Sequence, residues 1–143
     1  MVVIYIDGIF DMFHRGHLEA LRKAKSLRKD VHLIVGIVGD KDAKEYKREP
    51  LFNQEDRYQI ISSLKCVDQV VFPAPLIVTQ SFLSKYKIDI VTHAFANKED
   101  YDKQKDFYEE CSDIFEMIPY YSHSSTTSYI DKIQNKCVDT NTD

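Results

Sequence analysis

The sequence predicts an α/β protein: one domain built on a doubly wound sheet of five parallel strands. Five short runs rich in β-formers alternate with segments of helical spacing along the 143 residues. No internal repeat and no linker rich in Gly, Pro or Ser divides the chain, and its length suits a single domain. The residues able to do chemistry follow the strands, where such sheets bind ligands.

The first strand is "VVIYI". From about His17 the pattern turns helical, with Leu18, Leu21, Ala24 and Leu27 on one face. "VHLIVGIV" is the second strand. The polar stretch "GDKDAKEYKREPLFN" reads as a loop closed by Pro50, and Asn53 is placed to cap a helix over "QEDRYQIISSLK". "QVVF" is the third strand. After "PAP" come a short helix, "TQSFLSKY", and the fourth strand, "IDIVTH". "EDYDKQKDFYEEC" is helical and acidic, "IFEMI" is the fifth strand, and the last helix begins in "SSTTSYIDKI". The domain is expected over residues 1–134, with a polar, frayed tail over 135–143.

Composition narrows the functions. A net charge of −4 argues against nucleic acid as a partner. The apolar runs are too short to cross a bilayer and the chain enters a strand directly, so a cytoplasmic protein without a stable membrane anchor is expected. Three scattered cysteines, Cys66, Cys111 and Cys137, suggest reduced thiols.

The switch-point rule brings four segments to one crevice: His14 and His17 after strand one, Asp40 and the lysine-rich loop after strand two, His93 ending strand four, and "SHSSTT" after strand five. In "FHRGH" the two histidines are three apart and share a helix face. Gly16 between them lets a phosphate approach the backbone, and a helix start offers free N–H groups. The spacing fits a phosphate cradle, and equally a surface pair or two metal ligands. Zinc would need a third strong ligand that the sequence does not single out. Lys41, Lys44 and Lys47 are equal candidates for a phosphate-binding cation on spacing alone.

"DGIFDMFHRGHLEALRKAK" resembles the H-x-G-H signature of the cytidylyltransferases. "VGDKDAKEYKREPLFNQEDRYQIISSLKCVDQVVFPAP", "TQSFLSKYKIDIVTH" and "SSTTSYIDKI" extend the likeness to the cholinephosphate and ethanolamine-phosphate enzymes over roughly residues 2–133. The resemblance implies a Rossmann-like domain, usually dimeric, that transfers CMP from CTP, bound with Mg²⁺, to phosphoethanolamine or phosphocholine for phospholipid synthesis. By matched position it implies His14, His17 and Lys47 at the reacting phosphates, with Lys47 also holding the acceptor phosphate. Gly8, Ile9, Phe10, Gly16, His93, Ser125 and Thr126 would face the nucleotide. Asp7 and Tyr101 would face the acceptor, and no resident metal site is implied. Asp7 points to a cationic acceptor, since the related glycerol-phosphate enzymes lack "DG" there. Asp11 is expected to pin the turn, and Arg57 to be structural, near a dimer contact.

Departures from the family pattern fall at ligand positions. The "R-T-x-G" expected before the Ser-Thr pair is Tyr120-Tyr121-Ser122-His123, the acidic residues after the strand-four histidine are Ala94 and Phe95, and the tryptophan of choline enzymes is Leu76. Loss of that cation–π face favours phosphoethanolamine over phosphocholine. The alternatives are another nucleotide or acceptor, such as ATP or glycerol 3-phosphate, or an inactive nucleotide-binding or dimerisation module. With neither a long amphipathic membrane helix nor a second catalytic domain in view, a soluble constitutive core is expected.

Overall fold

The computed structural model describes residues 1–123 and 125–141, with side chains through residue 136. Five strands, β1 (Val2–Gly8), β2 (Val31–Val38), β3 (Gln69–Ala74), β4 (Ile90–His93) and β5 (Phe115–Met117), form one all-parallel sheet in the order β3-β2-β1-β4-β5. The order reverses between β1 and β4, so the loops after those two strands flank the crevice. β1 and β2 are buried along nearly their whole length, as strands covered on both faces must be. Gly36 in β2 gives room to Tyr5 of β1: a Cβ there would stand 2.1 Å from the phenolic oxygen.

Helices α1 (Arg15–Lys25), α2 (Asp40–Tyr46), α3 (Gln54–Ser62), α4 (Gln80–Tyr86), α5 (Lys98–Gln104) and α6 (Thr126–Asn141) complete the fold. One core cluster packs Leu21 and Ala24 of α1 and Ile61 of α3 on the sheet; a second gathers Tyr5, Ile34, Val78, Leu83 and Tyr108. Leu27 packs against the first cluster from beyond the end of α1.

Four expectations change. Helix α1 starts at Arg15, two residues before His17, because His14 caps it. The stretch read as a loop contains α2; Asp40 and Asp42 favour its first turn, but with Ala43 its one buried residue the charged sequence hides its helical period. The acidic helix breaks after Gln104 into a 3₁₀ segment, Lys105–Ile114, with non-helical backbone at Cys111. The helix of the expected tail continues through Asn141. Asn53 caps α3 as expected, its Oδ1 accepting from Asp56 N at 2.8 Å. Cys66 and Cys111 are free thiols, and the Cys137 side chain lies outside those described.

Candidate active site

The segment between β1 and α1 makes two left-handed turns without glycine, at Phe10 (φ 57°) and Met12 (φ 46°). Such residues cost of order 1 kcal/mol each and persist only where surroundings hold them. Asp11 holds this one: its carboxylate accepts from Leu51 N and Phe52 N, both at 2.8 Å, and its carbonyl accepts from the Thr126 hydroxyl at 2.7 Å. Asp11 therefore pins the turn, as expected, and joins three segments of the crevice.

Beyond the turn the two histidines cap the helix reciprocally. Gly16 N donates to His14 Nδ1 at 3.0 Å, and His14 N donates to His17 Nδ1 at 3.3 Å. The rings stack with centroids 3.8 Å apart. A ring nitrogen that accepts from an amide carries no proton, so each imidazole is the tautomer with its proton on Nε2. Electrostatics agree. Burial, then His14 and Lys47, lower His17 to about 3, while burial and Lys47 lower His14. Both are neutral at physiological pH, and each offers an Nε2–H.

A pH dependence of stability follows. Above about pH 6.5 His17 is neutral folded or unfolded; below it the unfolded chain takes a proton that the folded protein refuses until about pH 3. This contribution is fully present above pH 6.5 and is lost as pH falls, by up to about 1.4 kcal/mol per pH unit. Urea unfolding between pH 7 and 4.5 is expected to show the slope, and His17→Gln to flatten it.

These residues open into a cavity of about 690 Å³ lined also by Asp7, Gly8, Ile9, Phe10 and Gly16. Lys47, Ser125 and Thr126 also line it, and His93 lines it from the end of β4. Burial, and next the Arg48 guanidinium, lower the Lys47 ammonium. Ser125 and Ser128 cap α6 reciprocally, with amide-to-hydroxyl distances of 3.1 and 3.0 Å. Because the Thr126 hydroxyl proton goes to Asp11, its backbone N–H is what that residue offers a ligand.

Asp7, 5% exposed at the end of β1, belongs to a buried triad that the sequence did not reveal. Its Oδ1 accepts the Tyr108 hydroxyl at 2.5 Å, and His93 Nδ1 lies 2.9 Å from the same phenolic oxygen. A phenol has one proton, which goes to Asp7, so the oxygen accepts from His93 Nδ1–H. Burial and Asp7 hold Tyr108 well above its ordinary pKa, keeping it a neutral donor. Among the described residues, hydrogen bonds to the Asp7 carboxylate reach Oδ1 only.

Tyr101 stands apart from the other expected site residues. It is 39% exposed, edge-on to Phe95 at 5.1 Å, and not among the cavity's lining residues. The α5 face that lines the cavity carries Asp100, Lys103 and Gln104, and position 101 is next around the helix. Arg57 is structural, as expected. It is 0% exposed and donates to the carbonyls of Ile9, Val38 and Phe52, which braces the crevice. Tyr46 and Arg48 line the cavity and were missed, since a tyrosine and an arginine in a charged stretch give no periodic signal. Of the departures, Ala94, Tyr120 and Tyr121 line the cavity; Leu76 does not. Among the described residues, no group of three or more His, Cys, Asp or Glu is placed to hold a metal ion.

The cytidylyltransferase-like family model matches residues 5–135, which covers the crevice, the last four residues of β1 and the other four strands. The chain belongs to that family. Choline-phosphate cytidylyltransferase A of Homo sapiens is 41% identical over 92 residues, 64% of this chain and 25% of that protein. Choline-phosphate cytidylyltransferase of Saccharomyces cerevisiae is 40% identical over 90 residues, 63% of this chain and 21% of that one. Ethanolamine-phosphate cytidylyltransferase of Mus musculus is 38% identical over 93 residues, 65% and 22% of the two chains. The chain thus spans about a quarter of the length of these curated relatives. Among solved structures, the lipopolysaccharide core biosynthesis protein of Thermoplasma volcanium GSS1 superposes with a TM-score of 0.66 at 23% identity, covering 87% of this chain and 99% of that one. That likeness establishes the Rossmann-like fold alone.

Proposed function

We propose that this protein transfers CMP from Mg²⁺-bound CTP to an amino alcohol phosphate, forming a CDP-alcohol and pyrophosphate for phospholipid synthesis. The observation that carries the reading is that Asp7 opens into the same cavity as His14, His17 and Lys47. The histidine N–H groups and the lysine suit a phosphate, and the buried carboxylate suits a cation.

An acceptor phosphate oxygen attacks the α-phosphorus, and the bond from that phosphorus to the oxygen bridging the β-phosphate breaks. Pyrophosphate leaves with the electron pair. Charge grows on the α-phosphate and bridging oxygens, where two neutral Nε2–H donors already in place act without reorganising. Lys47 contributes a positive charge between acceptor and α-phosphate, and the lowered ammonium is less strongly held by water. Mg²⁺ enters as part of the nucleotide substrate and neutralises the triphosphate. No side chain needs to become covalently attached.

Asp7 gives the acceptor its class. An ammonium group beside the carboxylate would form a charge-assisted hydrogen bond, with the Tyr108 hydroxyl fixing the other oxygen. A primary ammonium can make that bond whereas a quaternary one cannot, and Tyr101 stands outside the cavity. Both facts favour phosphoethanolamine over phosphocholine. The relatives' names, which include both activities, support the class. The reading also takes the protein as a cytoplasmic homodimer, as the family resemblance implies.

The test is turnover with CTP or ATP against phosphoethanolamine, phosphocholine and glycerol 3-phosphate. CDP-alcohol formation with CTP and an amino alcohol phosphate is expected, with glycerol 3-phosphate unused. Asp7→Asn is expected to raise KM for the amino alcohol phosphate about tenfold or more while leaving KM for CTP little changed. Equal use of glycerol 3-phosphate would remove the role given to Asp7.

A further inference from the structure

We propose that Arg48 binds the pyrophosphate end of the nucleotide and holds it as it leaves, an assignment that rests on the function proposed above. The sequence before Ser125 carries no arginine from Ile118 to Ser124, yet the cavity has a guanidinium at that end, brought from a different loop. Arg48 lies just past α2, next to Lys47, and lines the cavity with it. Its guanidinium donates to Thr127 Oγ1 at 3.1 Å, which fixes it against the first turn of α6. That bond uses one of five donors.

Among the described residues, no carboxylate pairs with Arg48. The neighbouring cation, Lys47, feels it as a repulsion. Lys103 also lines the cavity, though it pairs with Glu99 at 3.5 Å. Asp7, Asp11, Glu99 and Asp100 also line the cavity, but none of them forms an ion pair with Arg48. An unpaired guanidinium beside a lysine is what a polyanion would neutralise, and its planar fork suits two phosphate oxygens at once. Arg48 is tied to the first turn of α6, a helix start whose N–H groups favour an anion. That tether sets Arg48 on the group that departs as its bond to the α-phosphorus breaks. The guanidinium stays protonated throughout and exchanges no proton.

The experiment measures binding of Mg²⁺-pyrophosphate by calorimetry, together with kcat and KM for CTP, in the wild-type protein and in Arg48→Gln, Arg48→Lys and Thr127→Val. For Arg48→Gln, Kd for pyrophosphate and KM for CTP are expected to rise roughly ten- to hundredfold, the range for losing a charged hydrogen bond, with KM for the acceptor unchanged. Arg48→Lys should recover part of the loss. Thr127→Val, which removes the tether but keeps the charge, should change pyrophosphate binding by less than about threefold. An active wild type whose Arg48→Gln variant binds pyrophosphate normally would overturn the inference alone. Equal losses in Thr127→Val and Arg48→Gln would also overturn it, by showing that only the tether matters. A folded wild type that neither turns over CTP nor binds pyrophosphate would overturn the underlying function as well.

Discussion

His14→Asn is expected to fold with nearly wild-type stability and to lose about a hundredfold or more in kcat. The substitution separates two duties of one side chain. Asn is among the best N-cap residues, so its amide oxygen can replace Nδ1 in accepting from Gly16 N and keep the start of α1 intact. Its side chain is too short to present a donor where the imidazole Nε2–H stands. His14→Ala should lose both duties: about 1 kcal/mol of stability with the cap, and the same hundredfold in rate. Thermal melting and steady-state turnover on both variants check this. A His14→Asn protein with near-normal turnover would show that His14 matters only as a cap.

Arg57→Met should be the most damaging single change to the fold, costing about 3–5 kcal/mol in urea unfolding. The side chain donates to four groups that would otherwise sit apart: Ile9 O at 2.8 Å, Val38 O at 2.7 Å, Phe52 O at 3.1 Å and Asp40 Oδ1 at 2.6 Å. Asp40 is 41% exposed and can turn to water, so most of the loss comes from carbonyls stripped of their donor. Ile9 belongs to the cavity wall and Phe52 to the loop held by Asp11, so turnover should fall with stability. Arg57→Lys should rescue little, because one ammonium cannot span a fork of that width.

The fold was readable because its signals are periodic. Strands buried on both faces appear as "VVIYI" and "VHLIVGIV", and alternation with helices leaves few topologies. The crevice followed from the strand ends, and the expected residues line it except Tyr101 and Asp40, whose carboxylate pairs with Arg57 instead. Local pattern did not carry what depends on distant partners. Asp7 and Tyr108 are 101 positions apart, and nothing in "KDFYEEC" marks its tyrosine as the buried partner of a strand-one carboxylate. The imidazole tautomers rest on amide geometry that only the folded helix start provides. Helix α2 escaped notice because seven residues with one buried side chain leave too short a period.

The most direct test is the rate of pyrophosphate release by the wild-type protein with Mg²⁺ and CTP, with and without phosphoethanolamine or phosphocholine. The account predicts release that requires both CTP and an amino alcohol phosphate, with one CDP-alcohol formed per pyrophosphate. Folded protein that releases none with either acceptor would contradict it, and would make the cavity a nucleotide-fold remnant without the transfer reaction.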